Sequence, residues 1–439
     1  MLLWLLKHFF LLKGEDYRLF ASPIINLTSG KEFIQEKNTF TNTRGFVIEG
    51  DLGKKISFFS SFAENQSIFP DYLDAQIRKN LVVPGQGYAR YFKETGFDYA
   101  MSSGYVSYRP NKMFAVQFGH GKHFIGDGYR SLLLSDNTFN YPYLRIQTTF
   151  WKVQYTNLYT ELQDINYFAD NGIDNSLFSY DYMGYFKKYM SAHYLSINAT
   201  KKLNISLFES VIWRMNHAPG SNGFDVNYLN PIIFFRAMEF ESGQGSGNAV
   251  LGASGKYKIN DNINIYSQFI LDEFSLSDVK GGEKSWKNKF GYQLGIKYYN
   301  AFKVDHLLLQ FEYNRVRPYT YSHNTIVLNY GHNNQSMAHL WGSNFSEAII
   351  IGRYHYNRWF GDAKLIFGVK GFDYNNGTDN FSYGGDIYRN YNDRPFDSGV
   401  EVGQGIKTNT FYANLQAGYV VNPASNLKLF ADITFRNFN

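Results

Sequence analysis

The chain has 439 residues, among them 36 Tyr, 40 Phe and 39 Gly, with 10 Pro, no Cys and a formal net charge of +5. That length suits two or three soluble domains or one large closed sheet, and 19% aromatics at a mean hydropathy of −0.36 suit rings held at membrane–water boundaries. No apolar run reaches the roughly 18 residues of a membrane helix, the lack of Cys excludes disulfide scaffolds and thiolate metal centres, and the scattered basic residues give no nucleic-acid footprint.

The chain opens on "MLLWLLKHFFLLKGEDY", with Lys7 and His8 inside the apolar run. A secretory signal has a basic start, an unbroken apolar core and a small-residue cleavage site. This stretch has none of the three, so residues 1–16 read as an apolar, helical segment of a chain whose true start lies upstream. Residues 17–439 read as one domain.

Several later segments alternate strictly between two faces, the mark of a strand between two different solvents. "WKVQYTNLYT" sets Lys152, Gln154 and Thr156 on its polar side, and "LLLQFEYN" sets Gln310 and Glu312 there. "FGYQLGIKYY" aligns Phe290, Tyr292, Leu294, Ile296 and Tyr298. "FYANLQAGY" aligns Phe411, Ala413, Leu415, Ala417 and Tyr419, and "LKLFADITFR" aligns Leu427, Leu429, Ala431, Ile433 and Phe435. These runs last about nine to thirteen residues, the length of a tilted bilayer crossing, whereas sandwich strands stop at about five or six. Aromatic pairs bracket them: Trp151 and Tyr159, Phe290 and Tyr298, Phe411 and Tyr419.

Short polar turns ("KKLN", "KIND", "NPASN") alternate with long excursions over 70–96, 121–141, 163–188, 214–246, 321–344 and 374–408. Short turns on one rim and long loops on the other define an outer-membrane barrel. The fold class is therefore all-β: a large antiparallel transmembrane β-barrel with about fourteen to sixteen visible strands, and about 16–18 in the full-length protein. It lies in the cell outer membrane, with lipid as its partner. The last run ends Phe438-Asn439; either it closes the barrel, or a final hairpin follows it, since a barrel cannot leave an edge in lipid.

Two excursions stand out, at about 121–141 and 226–246. In the first, "DGYRSLLLSD" reads as a short helix starting near Asp127 with Leu132 to Leu134 as its packing face. In the second, Pro231 can open a helix from about Ile232 to Phe240, with Arg236 and Glu239 on one of its faces. Helices folded into the lumen would occlude it.

The stretches "FGHGKHFIGDGYRSLLLSDNTFNYPYLRI" and "LNPIIFFRAMEF…GNAVLG", with "KGEDYRLFASPIINLTSGKE" and "NTRGFVIEGDLG" earlier, resemble the capsule assembly protein Wzi family, and more closely its gliding-motility relatives of the RemB type. The resemblance covers residues 13 to about 436, and the first stretch is its most specific part. It implies a monomeric outer-membrane barrel plugged at one mouth by helices. In capsule members it implies a surface lectin retaining polysaccharide; in gliding members it implies a role in cell-surface motility beside the secretion machinery.

Polysaccharide binding wants aromatic faces against sugar C–H surfaces and charge-assisted hydrogen bonds to hydroxyls and uronates. The candidates are Lys122, Asp127, Tyr129, Arg130, Asp136, Asn137 and Tyr141 in the first loop, and Arg236, Glu239 and Asn248 in or beside the second. Asp127, Arg130 and Arg236 are expected first as pairs locking the plug, because lumenal charges are usually paired. Gly121, Gly126 and Gly128 relieve backbone crowding. His120 and His123, three apart on a strand, face opposite ways and find no third ligand, so no metal site is expected. No spacing singles out a nucleophile–base pair, so neither enzymatic chemistry nor a cofactor is expected. Two other readings stay open: a substrate-specific porin, and an accessory subunit of a type 9 secretion translocon.

Overall fold

The computed structural model describes residues 9–165, 186–214, 226–234, 247–374, 379–423 and 427–439. Among these residues one antiparallel sheet holds nineteen strands, and eighteen of them, all but Arg90–Phe92, form a wall in which each strand pairs with the next in sequence. They are β1 (Phe10–Lys13), β2 (Tyr17–Glu32), β3 (Lys37–Leu52), β4 (Ile56–Ile68), β5 (Gly96–Tyr108), β6 (Phe114–Gly121), β7 (Tyr141–Phe150), β8 (Val153–Asp164) and β9 (Phe186–Asn198). Then follow β10 (Leu203–Arg214), β11 (Gly247–Lys258), β12 (Ile263–Glu273), β13 (Lys289–Tyr299), β14 (Leu307–Val316), β15 (Phe345–Tyr356), β16 (Trp359–Phe372), β17 (Ile406–Asn422) and β18 (Leu427–Phe438). Among the described residues no backbone pairing joins β1 to β18. The wall nevertheless curls back on itself, because Arg436 near the end of β18 touches the Tyr72 hydroxyl in the loop after β4.

The alternation read from sequence sets the two faces of this wall. Leu294, Phe311, Ile350, Phe367 and Leu415 point outward and are exposed, while Gln293, Glu312, Glu347 and Gln310 point inward and are buried. Outward rings meet across strands, as in Phe367 and Phe411 at 5.0 Å and Trp359 and Tyr419 at 4.8 Å. Among the described residues no helix is long and apolar enough to cross a membrane; an apolar outer face over a polar interior is what strands that cross a bilayer present.

Connections on one rim are short: 53–55, 109–113, 151–152, 199–202, 259–262 and 357–358. Asn357 turns the last of these at φ 52°, a left-handed conformation that Asn tolerates. Long loops, 69–95, 122–140, 274–288, 317–344 and 373–405, leave the other rim, with 33–36 as a short exception. In barrels of this type the short rim is periplasmic and the long-loop rim extracellular.

Local structure departs from the sequence reading in three places. Within the apolar N-terminal segment, Phe10–Lys13 is a strand paired with β2, because an edge next to β2 takes up its backbone bonds more cheaply than an isolated turn of helix. Loop 122–140 contains no helix, only an isolated bridge between Ile125 and Leu134. Conversely, loop 69–95 contains a helix, Asp71–Asn80, that the sequence reading missed. Asp71 and Asp74 lie in its first turn and Arg78 and Lys79 in its last, as the helix dipole favours. Its buried face, Ile77, packs on Val83, Ala89, Phe97 and Tyr99.

Candidate functional site

The apolar patch of loop 122–140 fills the lumen. Leu132, Leu133 and Leu134 have no exposed surface and pack among inward residues of the wall, including Leu158, Met190, Phe208, Val250 and Ile270. Loop 317–344 covers them, with Tyr321 and Tyr330 donating their hydroxyls to the carbonyls of Leu132 and Leu133, each at 2.8 Å. The lumen is thus packed like a core where these loops meet.

Wall side chains replace the helical bonds that the sequence reading expected. Glu312 of β14 accepts from the N–H of Tyr129 (2.6 Å) and of Arg130 (3.0 Å), from the Tyr266 hydroxyl (2.7 Å) and from the Asn314 amide (2.9 Å). Gln268 of β12 accepts from Leu132 N–H at 2.8 Å and donates to the Ile125 carbonyl at 3.1 Å. With its donors captured by side chains, the backbone has no reason to coil. Gly128 permits the approach: a Cβ there would lie 2.5 Å from Glu312 Oε2.

The candidate residues fall into place around this plug. Asp127 Oδ1 meets Lys256 at 2.6 Å, and its carbonyl accepts from Lys297 at 2.6 Å. Arg130 faces Glu347 at 3.4 Å, the tip of a buried cluster that also holds His339. The expectation of buried pairs locking the plug holds for Arg130 with Glu347, whereas the Asp127–Lys256 pair is partly exposed. Lys364 donates to the Tyr129 hydroxyl at 2.8 Å. Lys122 spans to the Gly85 carbonyl at 2.6 Å, and burial pulls its pKa down. Asn137 donates to the Ala338 carbonyl at 2.7 Å, and Asn248 to the Leu328 carbonyl at 2.8 Å. Tyr141 is fully buried beside His123. Of these eight residues, Asp136 alone is exposed. Arg236, Glu239 and most of the expected helix from Ile232 to Phe240 lie outside the described residues.

The described part of the second excursion does not enter the lumen, contrary to expectation. Residues 226–234 lie against the outer wall over β8 to β10. Leu229 O accepts from Tyr159 (2.9 Å), Pro231 O from Tyr155 and Tyr228 O from Ser191, and Phe234 N–H donates to Glu209 at 2.5 Å. Trp213 stacks on Tyr228 at 4.4 Å. Under this strap lies a row of polar residues on the outward face, Asn157, His193 and Glu209, direct cross-strand neighbours and each at most 4% exposed. Irregular backbone at membrane depth survives only where protein satisfies it, and this row of polar side chains and tyrosines does so.

Buried imidazoles give the plug a pH dependence. Burial holds His123 near pKa 4, His332 near 3 and His323 near 4, so all three are neutral in the folded plug. The unfolded chain takes up protons below about pH 6.5, which makes the folded state the poorer proton acceptor. Stability is therefore expected to fall as pH drops from about 6.5 to about 4, by at most about 1.4 kcal/mol per pH unit for each histidine. Urea midpoints measured at pH 7.5 and pH 4.5 check this; equal midpoints would contradict buried neutral imidazoles.

No family model matches the sequence, and no curated protein matches it either. Solved structures do share its fold. Wzi of Escherichia coli, an outer membrane protein involved in group 1 capsule assembly and a carbohydrate-binding β-barrel, aligns over 97% of this chain and 80% of its own at 12% identity, TM-score 0.54. OpdO of Pseudomonas aeruginosa aligns over 97% and 93% at 11% identity, TM-score 0.50. The outer membrane protein OprD of Pseudomonas aeruginosa aligns over 97% and 88% at 13% identity, TM-score 0.47. Identities this low establish the fold, not the family. With its apolar outer face, eighteen-stranded wall and asymmetric rims, the chain is a β-barrel of the outer membrane.

Proposed function

We propose that this barrel is non-conducting, works without enzymatic chemistry, and holds surface polysaccharide through its extracellular loops. The observation that carries the reading is the plug, fastened to Glu312 through two backbone N–H groups and sealed by three fully buried leucines. A channel has no use for a core across its lumen. The extracellular rim offers matching chemistry for sugar: Tyr72 and Tyr91 are more than half exposed, with the guanidinium of Arg436 4.9 Å from the first ring and that of Arg78 5.2 Å from the second. Rings accept sugar C–H faces, and guanidinium groups pair with uronates. The shared fold of the carbohydrate-binding Wzi barrel supports the same reading. Resemblance to the gliding relatives extends it to polysaccharide handled during surface motility.

The test is retention of extracted capsular polysaccharide by the purified chain. Tyr72→Ala with Tyr91→Ala is expected to weaken retention about tenfold, a loss of about 1.4 kcal/mol; full retention would remove these rings from the site. A second reading, a substrate-specific channel, draws on inward residues away from the plug that stay exposed, among them Lys428 and Asp432. Steady single-channel currents from the native chain would favour it.

A further inference from the structure

The outer wall carries a cavity that the plugged lumen does not explain. It has a volume of about 420 Å3 and opens to the lipid side across β14 to β18. Its floor is small-sided, at Ala348, and its walls are rings: Tyr313, Phe367 and Phe411. In register these residues stand side by side, Tyr313 opposite Ala348, Ala348 opposite Phe367, and Phe367 opposite Phe411. A methyl group set among three rings leaves an apolar slot between them.

The upper end of the cavity is polar. Ser346 and Asn409 line it there, at the extracellular ends of β15 and β17. Arg315 pairs in register with Ser346 on the same outward face, and Lys407 lies two residues from Asn409 on the outward face of β17. Glu401 lies in the field of Arg315 but is engaged by Lys284. Two cations therefore stand above an apolar slot, at the level of outer-leaflet headgroups. They are three strands apart, roughly 14 Å at the spacing of neighbouring strands.

We propose that this cavity binds a diphosphorylated, multiply acylated glycolipid of the outer leaflet, one acyl chain in the slot and one phosphate against each cation. A glycerophospholipid with one phosphate can satisfy only one of the two, and one whose two phosphates share a single glycerol holds them too close together, whereas a disaccharide headgroup phosphorylated at both ends spans the separation. Charge complementarity and the breadth of the site thus favour the glycolipid over an ordinary annular lipid. This inference concerns the outer wall and does not rest on the polysaccharide reading.

Native mass spectrometry of the full chain in detergent tests it with three added probes: diphosphoryl lipid A, monophosphoryl lipid A and dioleoyl phosphatidylethanolamine. One diphosphoryl lipid A per chain is expected, held about tenfold more tightly than the monophosphoryl form. Arg315→Gln and Lys407→Gln should each remove that tenfold advantage, and Ala348→Trp should abolish retention. Equal retention of all three probes would overturn the proposal. So would lipid A binding that is unchanged in Arg315→Gln and Lys407→Gln. Those two variants alter a half-buried and an exposed position at the rim, away from the packed lumen, so they decide the matter even if Ala348→Trp fails to fold.

Discussion

Glu312→Ala is expected to loosen the plug and open the barrel. The carboxylate has no exposed surface and gathers four donors, two of them backbone N–H groups of the plug. Its removal strands those donors in a dry site and leaves Arg130 with Glu347 as its acidic partner. Breaking a buried charged network of this kind costs about 3–5 kcal/mol. In planar bilayers the variant should show larger single-channel currents than the native chain, and its urea midpoint should fall. Glu312→Gln keeps one acceptor oxygen and should lie between the two. A silent Glu312→Ala barrel of native stability would mean that the leucines alone hold the plug.

Glu209→Ala should act on the opposite face of the wall. Glu209 is 2% exposed, on the side that elsewhere meets lipid, and it accepts the Phe234 N–H. In hydrocarbon an unsatisfied amide costs several kcal/mol, so the strap end at Phe234 should detach. A loss of about 2–4 kcal/mol in unfolding free energy in lipid is expected, with Glu209→Gln recovering most of it. Tyr159→Phe, which removes one neutral hydrogen bond to Leu229 O, should cost about 1 kcal/mol. If Glu209→Ala matched the native chain in stability, the strap would not depend on the polar row beneath it.

The different consequences of removing these two carboxylates follow from which side of the wall each faces, and that was legible. Alternation with period two placed Glu312 on the polar side of its strand and Leu294, Phe411 and Leu415 on the other, as found. The same rule held a signal that went unread. Asn157, His193 and Glu209 occupy outward positions in three consecutive strands and break the apolar face in one row. A polar row on the lipid side asks for a cover, and residues 226–234 supply it. The helix at Asp71–Asn80 also had its markers, Pro70 ahead of it and acids in its first turn, masked by the general looseness of the excursion around it.

What the sequence determined by itself is the class and its orientation: an outer-membrane barrel, apolar side out, with long loops on one rim and an occluding loop between β6 and β7. These follow from local periodicity and from the solvents on either side of a strand, which act on each residue wherever its neighbours come from. Only the tertiary structure decided how that loop is held and where the second excursion goes. Glu312 is 182 residues from Arg130 along the chain, and no spacing within "DGYRSLLLSD" announces that a distant carboxylate will take its N–H groups and leave it uncoiled. Helix, plug or strap is chosen by whichever acceptors the closed wall presents, and that wall exists only once the strands have paired.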